Sequence, residues 1–268
     1  MRRRPFLVAS VALAALALAA TVHAQFGRGR MFARIATPAD FDGRFQFCRI
    51  VFRNAPTGDG GGWGVDYPQA DENLSIRLAE LTRTPVSFAA ANAPNHALVR
   101  FTDPELFQCP FVMMTEPGGA FLDQDEADAL RTYVLKGGFL WADDFWGEYA
   151  FRHWEAQLRK ALPIADYPIF ELPPEHPLLN AQFVTKVVQI PSIGWAFNGR
   201  TSERGADSAV PHARGIADRN GRLMVLMTHN TDYGDSWERE GDDPRYFYAF
   251  GPDGYAFGIN AVLYALTH

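Results

Sequence analysis

The chain has 268 residues, of which 47% are hydrophobic and 21% charged, and its formal net charge is −6. This length and composition exclude a disordered tail, a collagen-like fibre and a disulfide-stapled miniprotein, and they are typical of one or two domains with a hydrophobic core. The negative charge argues against electrostatic binding to nucleic acid.

The first 24 residues have the pattern of a secretory signal peptide. Arginines near the start precede an apolar run from Phe6 to Val22, and the small residues Val22 and Ala24 suit cleavage after Ala24. We therefore predict an exported protein, periplasmic or secreted, with no transmembrane segment after signal removal; an uncleaved amino-terminal anchor is the alternative. In an oxidising compartment Cys48 and Cys109 either form a disulfide or remain two small buried side chains.

Regular elements begin after a leader. Residues 25–44 are rich in Gly and Arg without a clear period, which predicts a flexible leader ahead of a single α/β domain over residues 45–268. Strands are predicted over residues 45–52, 85–88, 111–115, 139–142 and 223–228. Helices are predicted over residues 71–82, 123–136, 151–162 and 255–266. Because strands and helices alternate, the pattern predicts a mainly parallel central sheet covered on both faces.

Local signals refine this outline. Asp123 and Glu126 have the spacing of a capping box at the start of the second helix. Residues 58–64 are glycine-rich and predict a flexible loop, without the spacing of a phosphate-binding loop. Residues 163–220 contain several prolines and glycines and predict an insertion with short strands, whereas residues 229–245 predict a long polar loop.

Polar and aromatic side chains mark a candidate binding edge. Ligands of open parallel sheets bind beyond the carboxyl ends of the strands. The candidates at these ends, for binding a small polar or carbohydrate-like molecule, are Asn54, Glu116, Asp143, Asp144, His229, Asn230 and Asp232. The insertion adds His176, and loops add Trp63, Asp66 and Trp237. For the histidines the alternative is a structural turn, and for the tryptophans it is a loop anchor rather than a platform for a sugar ring.

The pair Asp143 and Asp144 is the sharpest local feature, because it directly follows a predicted buried strand. We predict that one carboxylate caps the following helix, which leaves the other free to face the cleft and to pair with a basic or amide group, a metal or a ligand. The alternative is that both side chains only cap and position that helix.

Three functions remain open from these residues. A non-catalytic domain that binds a small polar ligand is the leading hypothesis. The second is a hydrolase or isomerase that uses Asp143, Asp144 and His176 in acid/base chemistry or around a divalent metal, although their spacing is not a recognised metal signature. The third is a protein-interaction module with a vestigial pocket. No motif indicates a particular cofactor or protein partner, since nucleophile elbow, P-loop, His-Glu-x-x-His and Cys-x-x-Cys patterns are all missing.

Short motifs run through the chain from the first strand to the last helix. They include Gly62-Trp63 with Asp66 and Pro68, Asn73-Leu74, Glu105-Leu106-Phe107, Pro110-Phe111, Leu130-Arg131, His176-Pro177, Gly258-Ile259-Asn260 and Tyr264-Ala265. The most specific is Gly137-Gly138-Phe139-Leu140 followed by Asp143-Asp144. Over roughly residues 45–267 these motifs together resemble an uncharacterised bacterial family, domain of unknown function 4159.

The resemblance implies a fold and no activity. The family is similar to the class I glutamine amidotransferase-like fold of the trehalose-utilisation type, a flavodoxin-like three-layer sandwich. An amidotransferase needs a cysteine on a tight turn after a central strand and a distant His-x-Glu pair. Here that turn holds Glu116, Cys109 precedes the strand, and His153 begins a His-x-Glu inside a predicted helix. We therefore expect no glutamine hydrolysis.

Overall fold

A computed structural model describes residues 33–268, which are built around a seven-stranded sheet. In chain order its strands are β1 (Phe47–Ile50), β2 (His96–Val99), β3 (Phe111–Thr115), β4 (Phe139–Phe145), β5 (Phe170–Glu171), β6 (His212–Ala217) and β7 (Leu223–His229). Across the sheet the order is β2-β1-β3-β4-β7-β6-β5. The signal peptide predicted over residues 1–24 lies outside the described residues.

The strand order is that of a flavodoxin-like sheet. The first five strands across the sheet pair in parallel, and their order in the chain is 2-1-3-4-5. The last two, β6 and β5, pair antiparallel and come from residues 163–220, which the sequence identified as an insertion with short strands. The predicted mainly parallel α/β sheet is confirmed.

Helices cover the sheet on both faces. They are α1 (Gln69–Leu81), α2 (Gln124–Leu135), α3 (Gly147–Ala161), α4 (Trp195–Asn198), α5 (Tyr233–Glu238) and α6 (Pro244–Thr267). Single 3-10 turns occur at Pro38–Asp40, Pro104–Gln108, Pro117–Gly119, Pro177–Asn180 and Gly205–Ser208. Two small antiparallel ribbons pair Arg53–Asn54 with Ala120–Phe121 and Phe88–Ala90 with Ala93–Pro94.

Alternation of side chains along the strands divides the core into two layers. On β4, Leu140 and Ala142 pack into the layer that contains α2 and α3, whereas Phe139 and Trp141 pack into the layer with α1, α5 and α6. Successive side chains of a strand point to opposite faces, so one apolar strand supplies both layers. The result is the expected three-layer sandwich.

The capping box predicted for α2 is confirmed. The Glu126 N–H donates to Asp123 Oδ1 at 3.0 Å, and the Asp123 N–H donates to Glu126 Oε2 at 2.9 Å. The two side chains thereby satisfy amide groups that have no partner within the helix.

At the amino-terminal side, residues 35–44 of the predicted leader belong to the fold. Ile35 bridges to Leu98 at the sheet edge, and the Ala36 N–H donates to the Leu98 carbonyl at 2.8 Å. The second strand of the sheet is β2 rather than residues 85–88, where Val86 makes an isolated bridge to Phe45. The run that forms β2 has four residues, which is too short to give a clear alternating pattern.

The carboxyl-terminal region holds more helix than the sequence predicted. Helix α5 lies within residues 229–245, which we expected to be a polar loop, and α6 begins at Pro244 rather than at Tyr255. The predicted start was late because Gly251 and Pro252 interrupt the apolar pattern, yet Pro252 lies inside α6. Over residues 33–268, no helix is both long and apolar enough to cross a membrane.

Cys48 and Cys109 are joined in a disulfide. Cys48 lies on β1, and Cys109 lies just before the neighbouring strand β3, so the sheet itself brings them together. Their Cα atoms are 6.1 Å apart, within the roughly 7 Å that a disulfide can span. Of the two alternatives that the sequence left open, the structure has the bridge.

Removal of this disulfide is expected to lower the free energy of unfolding. Its half-cystines are separated by 61 residues. Closing a loop of that length lowers the conformational entropy of the unfolded chain and so raises its free energy by about 4 kcal/mol. Denaturant unfolding of the oxidised protein and of a Cys48→Ala/Cys109→Ala variant measures the difference. Titration of two free thiols in unreduced, denatured protein would contradict the bridge.

Candidate functional site

Left-handed backbone conformations concentrate at one edge of the sheet. Glu116 directly follows β3 with φ 52°, Asp144 lies near the end of β4 with φ 59°, and Asn230 directly follows β7 with φ 61°. Asp66, in the segment between β1 and α1, has φ 62°. Residues other than glycine seldom adopt positive φ, and such positions cluster at functional sites. All four residues are candidates that the sequence had singled out.

Strand register brings these positions side by side. Thr115 of β3 pairs with Asp143 of β4, and the Glu116 N–H donates to the Asp143 carbonyl at 2.9 Å. On the other side of β4, the Asn230 N–H donates to the Phe145 carbonyl at 2.9 Å. The carboxyl ends of three consecutive parallel strands therefore form one continuous edge.

Asp143 is fully buried, and both of its carboxylate oxygens accept hydrogen bonds. The Thr228 hydroxyl donates to Oδ1, and the Gly234 N–H donates to Oδ2 at 3.0 Å. Thr228 in turn accepts a hydrogen bond from the Trp141 indole at 2.6 Å. Burial raises the pKa of Asp143 to about 7. This side chain joins β4, β7 and the start of α5, which is a structural role.

Asp66, Asp144 and Asp232 form a buried acidic triad. Each places one carboxylate oxygen within 4.8 Å of the other two, and no residue of the triad is more than 5% exposed. Burial, followed by repulsion from neighbouring carboxylates, raises the pKa of all three well above the ordinary value of 3.8. Oxygens that share one Mg²⁺ or Ca²⁺ at roughly 2.0–2.6 Å are spaced in this way.

The triad is incompletely paired. Asp144 Oδ1 accepts from the Trp146 indole at 2.8 Å, and Asp232 Oδ1 accepts from the Asp235 N–H at 2.7 Å. Asp66 Oδ2, in contrast, is buried and accepts no hydrogen bond. Among residues 33–268, none of the three carboxylates takes part in an ion pair within 4.0 Å. Because an uncompensated buried charge costs several kcal/mol, a cation at this position would stabilise the fold.

Gly234 makes room for the triad. A Cβ atom at this position would lie 2.3 Å from Asp66 Oδ2 and 3.5 Å from Asp232 Oδ1. The first of these distances is far shorter than a real contact allows, so the absence of a side chain lets the Asp66 carboxylate approach the first turn of α5.

A second acidic group adjoins the triad. Asp66 also lies within 4.8 Å of carboxylate oxygens of Asp235 and Glu238, one α5 turn apart. Here a positive charge is present, since Arg239 Nε is 3.1 Å from Asp235 Oδ1 and 2.8 Å from Glu238 Oε2. Burial raises the pKa of Glu238 to about 7. The sequence analysis missed these two acids, although the three-residue spacing of Asp232, Asp235 and Glu238 is a helical signal that would have placed them on one face.

Arg49 of β1 fixes the loop that carries Asp66. Its guanidinium pairs with Asp71 of α1, and both side chains are fully buried. Nη1 also donates to the carbonyls of Trp63 at 3.2 Å and Val65 at 2.9 Å, just before Asp66 in the chain. These contacts tether the loop to the sheet, so that Asp66 reaches the edge where β4 and β7 end.

The acidic pair does not cap α3, in contrast to our prediction. That helix begins after Trp146, and its first N–H, from Gly147, donates to Asn230 Oδ1 at 2.8 Å. The Gly147 carbonyl lies 3.0 Å from Nε2 of His229, a buried imidazole whose pKa burial lowers to about 4. Asn230 and His229 therefore hold the start of α3, which leaves Asp144 to the triad.

Glu116 lies at the same edge but outside the triad. Its Oε2 accepts a hydrogen bond from the Gly62 N–H at 2.8 Å, which ties the glycine-rich loop to the end of β3. Burial raises its pKa, and among charged neighbours Glu116 contributes most to the raised pKa of Asp144. Asn54 lies against the other side of the same loop, beside Gly62.

The two candidate tryptophans differ in position. Trp63 is half-buried, with its ring 5.6 Å from that of Tyr67, at the loop that carries Asp66. Trp237 is fully buried on α5 and contacts Trp141, with ring centroids 5.5 Å apart. Its burial excludes the role of an exposed platform for a sugar ring, so this residue belongs to the core.

His176 does not join the acidic residues. Its ring lies 5.6 Å from that of Tyr264 on α6, and the Tyr264 hydroxyl accepts a hydrogen bond from the N–H of Leu223, the first residue of β7. The start of β7 is the end of the sheet opposite to Asp144. His176 Nδ1 accepts from the Leu178 N–H at 3.2 Å, which gives it a local turn-forming role.

In the absence of divalent cations, the protein is expected to lose stability as the pH rises from about 4 to about 7. The folded-state pKa of Asp143 is about 7, and those of the triad are raised above 3.8, so the folded protein holds protons that the unfolded chain has already lost. The lowered pKa of His229 acts in the opposite direction over part of this window, but it is one group against four carboxyl groups, so the free energy of unfolding decreases with rising pH. Denaturant titrations near both ends of the window, with a chelator present, measure the change.

Asp144→Asn provides the comparison, because asparagine keeps the size of the side chain and tolerates a left-handed backbone. We expect the variant to show a smaller loss of stability over the same pH interval. Equal losses in the variant and the original protein would contradict the assignment of the raised pKa values to the triad.

The comparisons with known proteins place this fold and site in a family. The model of the family described as Domain of unknown function (DUF4159) matches residues 49–266, from β1 to α6, which includes all three triad residues. A search of the curated proteins finds no match. Because the family match spans well over half of the chain, the protein belongs to the family Domain of unknown function (DUF4159).

Proposed function

We propose that this protein binds a divalent cation of the class of Mg²⁺, Ca²⁺ or Mn²⁺ at Asp66, Asp144 and Asp232. One observation carries the proposal: the three buried carboxylates converge within 4.8 Å while Asp66 Oδ2 has no hydrogen-bond partner. Carboxylate oxygens are the ligands that these hard cations prefer. The two charges of the cation would offset the cost of burying these charges and their mutual repulsion, which together raise the pKa values of the triad.

The bound cation would in turn hold a small polar ligand. Three protein oxygens occupy only part of the shell of a cation that takes about six to eight ligands. Hydroxyl, carboxylate or phosphate oxygens of a ligand fit the remaining positions. The triad also lies at the carboxyl edge of the parallel strands, where ligands of this architecture bind. An oxygen-rich small molecule, carbohydrates included, is therefore the ligand class that suits the site.

Two alternative functions find less support. A hydrolase or isomerase built on Asp143, Asp144 and His176 needs these groups together, whereas Asp143 is committed to two hydrogen bonds and His176 packs near the start of β7. An interaction module with a vestigial pocket gives no reason for a buried acidic triad, which destabilises the fold unless a cation is present.

We also propose that the protein works outside the cytoplasm. The signal-peptide pattern of residues 1–24 and the disulfide between Cys48 and Cys109 both support this location, since disulfides persist mainly in oxidising compartments.

Asp66→Asn tests the cation site. Asparagine tolerates the left-handed backbone of this position and removes one charged ligand. We expect cation affinity to fall by about tenfold or more, because a charged contact contributes more than about 1.4 kcal/mol. The metal-free variant should also unfold at higher denaturant concentration than the original protein near pH 8, since a buried uncompensated charge is lost. Calorimetric titration with MnCl₂ and denaturant unfolding measure the two effects.

A matched control is Asp166→Asn, which changes an exposed aspartate. It should leave cation affinity and metal-free stability unchanged. Absence of binding in the original protein, or equal binding by the Asp66→Asn variant, would overturn the proposal.

A further inference from the structure

We infer that the acidic centre holds two divalent cations, with Asp66 as their shared ligand. The inference deepens the proposed function and rests on it. The first position is the triad of Asp66, Asp144 and Asp232, and the second is formed by Asp66, Asp235 and Glu238.

The geometry of Asp66 fits a bridging ligand. Its carboxylate contributes an oxygen to both groups, and in each group the contributing oxygens lie within 4.8 Å of one another. A carboxylate has two oxygens, and in two-metal sites the cations are about 3.5–4 Å apart, a distance that one bridging carboxylate spans. Asp66 is buried, and its Oδ2 accepts no hydrogen bond, so this oxygen is available to a cation.

The balance of charge also favours a second cation. The two groups together contain five carboxylates, those of Asp66, Asp144, Asp232, Asp235 and Glu238. Arg239 supplies one positive charge there, while the charge of Arg49 is taken up by Asp71. With all five ionised, one divalent cation would neutralise half of the remaining negative charge, and a second would neutralise the rest.

The second position has carboxylate oxygens that a cation can bind in place of Arg239. Asp235 Oδ2 accepts from the Ile193 N–H at 2.6 Å, which leaves Oδ1 as the oxygen paired with Arg239. Glu238 Oε2 is buried and has no hydrogen-bond partner, so its 2.8 Å approach to Arg239 is an ionic contact alone. The guanidinium of Arg239 is therefore the positive group that faces both oxygens.

Arg239 has another partner on the solvent side. Its Nη1 lies 3.3 Å from Asp242 Oδ2, and the Asp242 side chain is 53% exposed. A cation that binds Asp235 and Glu238 would displace the guanidinium toward this carboxylate, without leaving it unpaired. Arg239 thus occupies the second position in the cation-free protein and competes with the cation for it.

Two adjacent cations define the ligand more narrowly than one. A group with two oxygens on one centre, such as a phosphate or a carboxylate, bridges a pair of cations through one oxygen to each. A ligand that carries such an oxyanion is therefore the class expected at this edge of the sheet.

Stoichiometry tests the inference with the full folded chain. Calorimetry and electron paramagnetic resonance during titration with MnCl₂ should give two ions per chain, with a spectrum broadened by coupling between neighbouring ions. Glu238→Gln should reduce the stoichiometry from two to one and remove the coupling, while the triad keeps its ion. Arg239→Gln should tighten the second binding step severalfold, because the competing charge is gone.

Each outcome separates this inference from the proposed function. One ion per chain in the original protein, unchanged in both variants, would overturn the two-cation centre and leave the triad site standing. No bound ion would overturn both. Glu175→Gln, which changes an exposed glutamate, is the matched control and should retain two ions. If Glu238→Gln fails to fold, the Arg239→Gln titration still decides. An unchanged affinity for the second cation in this variant would contradict competition between Arg239 and the cation.

Discussion

The buried guanidinium of Arg49 is the interaction on which the candidate site depends. It pairs with Asp71 and donates to the Thr115 hydroxyl at 2.6 Å as well as to two loop carbonyls, so one side chain connects β1, β3, α1 and the loop before α1. Burial opposes the charged form of Arg49, and the adjacent Asp71 offsets that cost. Truncation of either partner would leave a buried charge alone and release the loop that carries Asp66.

Buried charges near this edge of the sheet are paired in one group of residues and unpaired in another. Arg49 and Asp71 compensate one another fully, which stabilises the scaffold. Asp66, Asp144 and Asp232 have no such partner among residues 33–268, and their burial and mutual repulsion destabilise the fold when they are ionised. Asparagine at these positions would remove the repulsion and stabilise the fold, which is why we propose a bound cation as the role of the triad.

The scaffold was predictable from sequence because its signals are local. The apolar runs of β3, β4 and β7 and the capping box of α2 each lie within a few adjacent residues. The triad depends on long-range register, which one sequence does not reveal. Asp66 and Asp232 were among the candidates, yet nothing in the chain indicated that they meet Asp144 rather than His176. Helix α5 was missed because its apolar residues are few and polar residues surround it.

The pairing of residues 35–36 with β2 has a consequence for the behaviour of the protein in concentrated solution. An open parallel sheet exposes unpaired amide and carbonyl groups along its outermost strands, and these groups recruit strands from other molecules. Here Ile35 and Ala36 cover part of one border through Leu98, and the opposite border ends in β5, only two residues long. These contacts shorten the stretch of unpaired backbone at both borders, which leaves a smaller template for intermolecular strand addition.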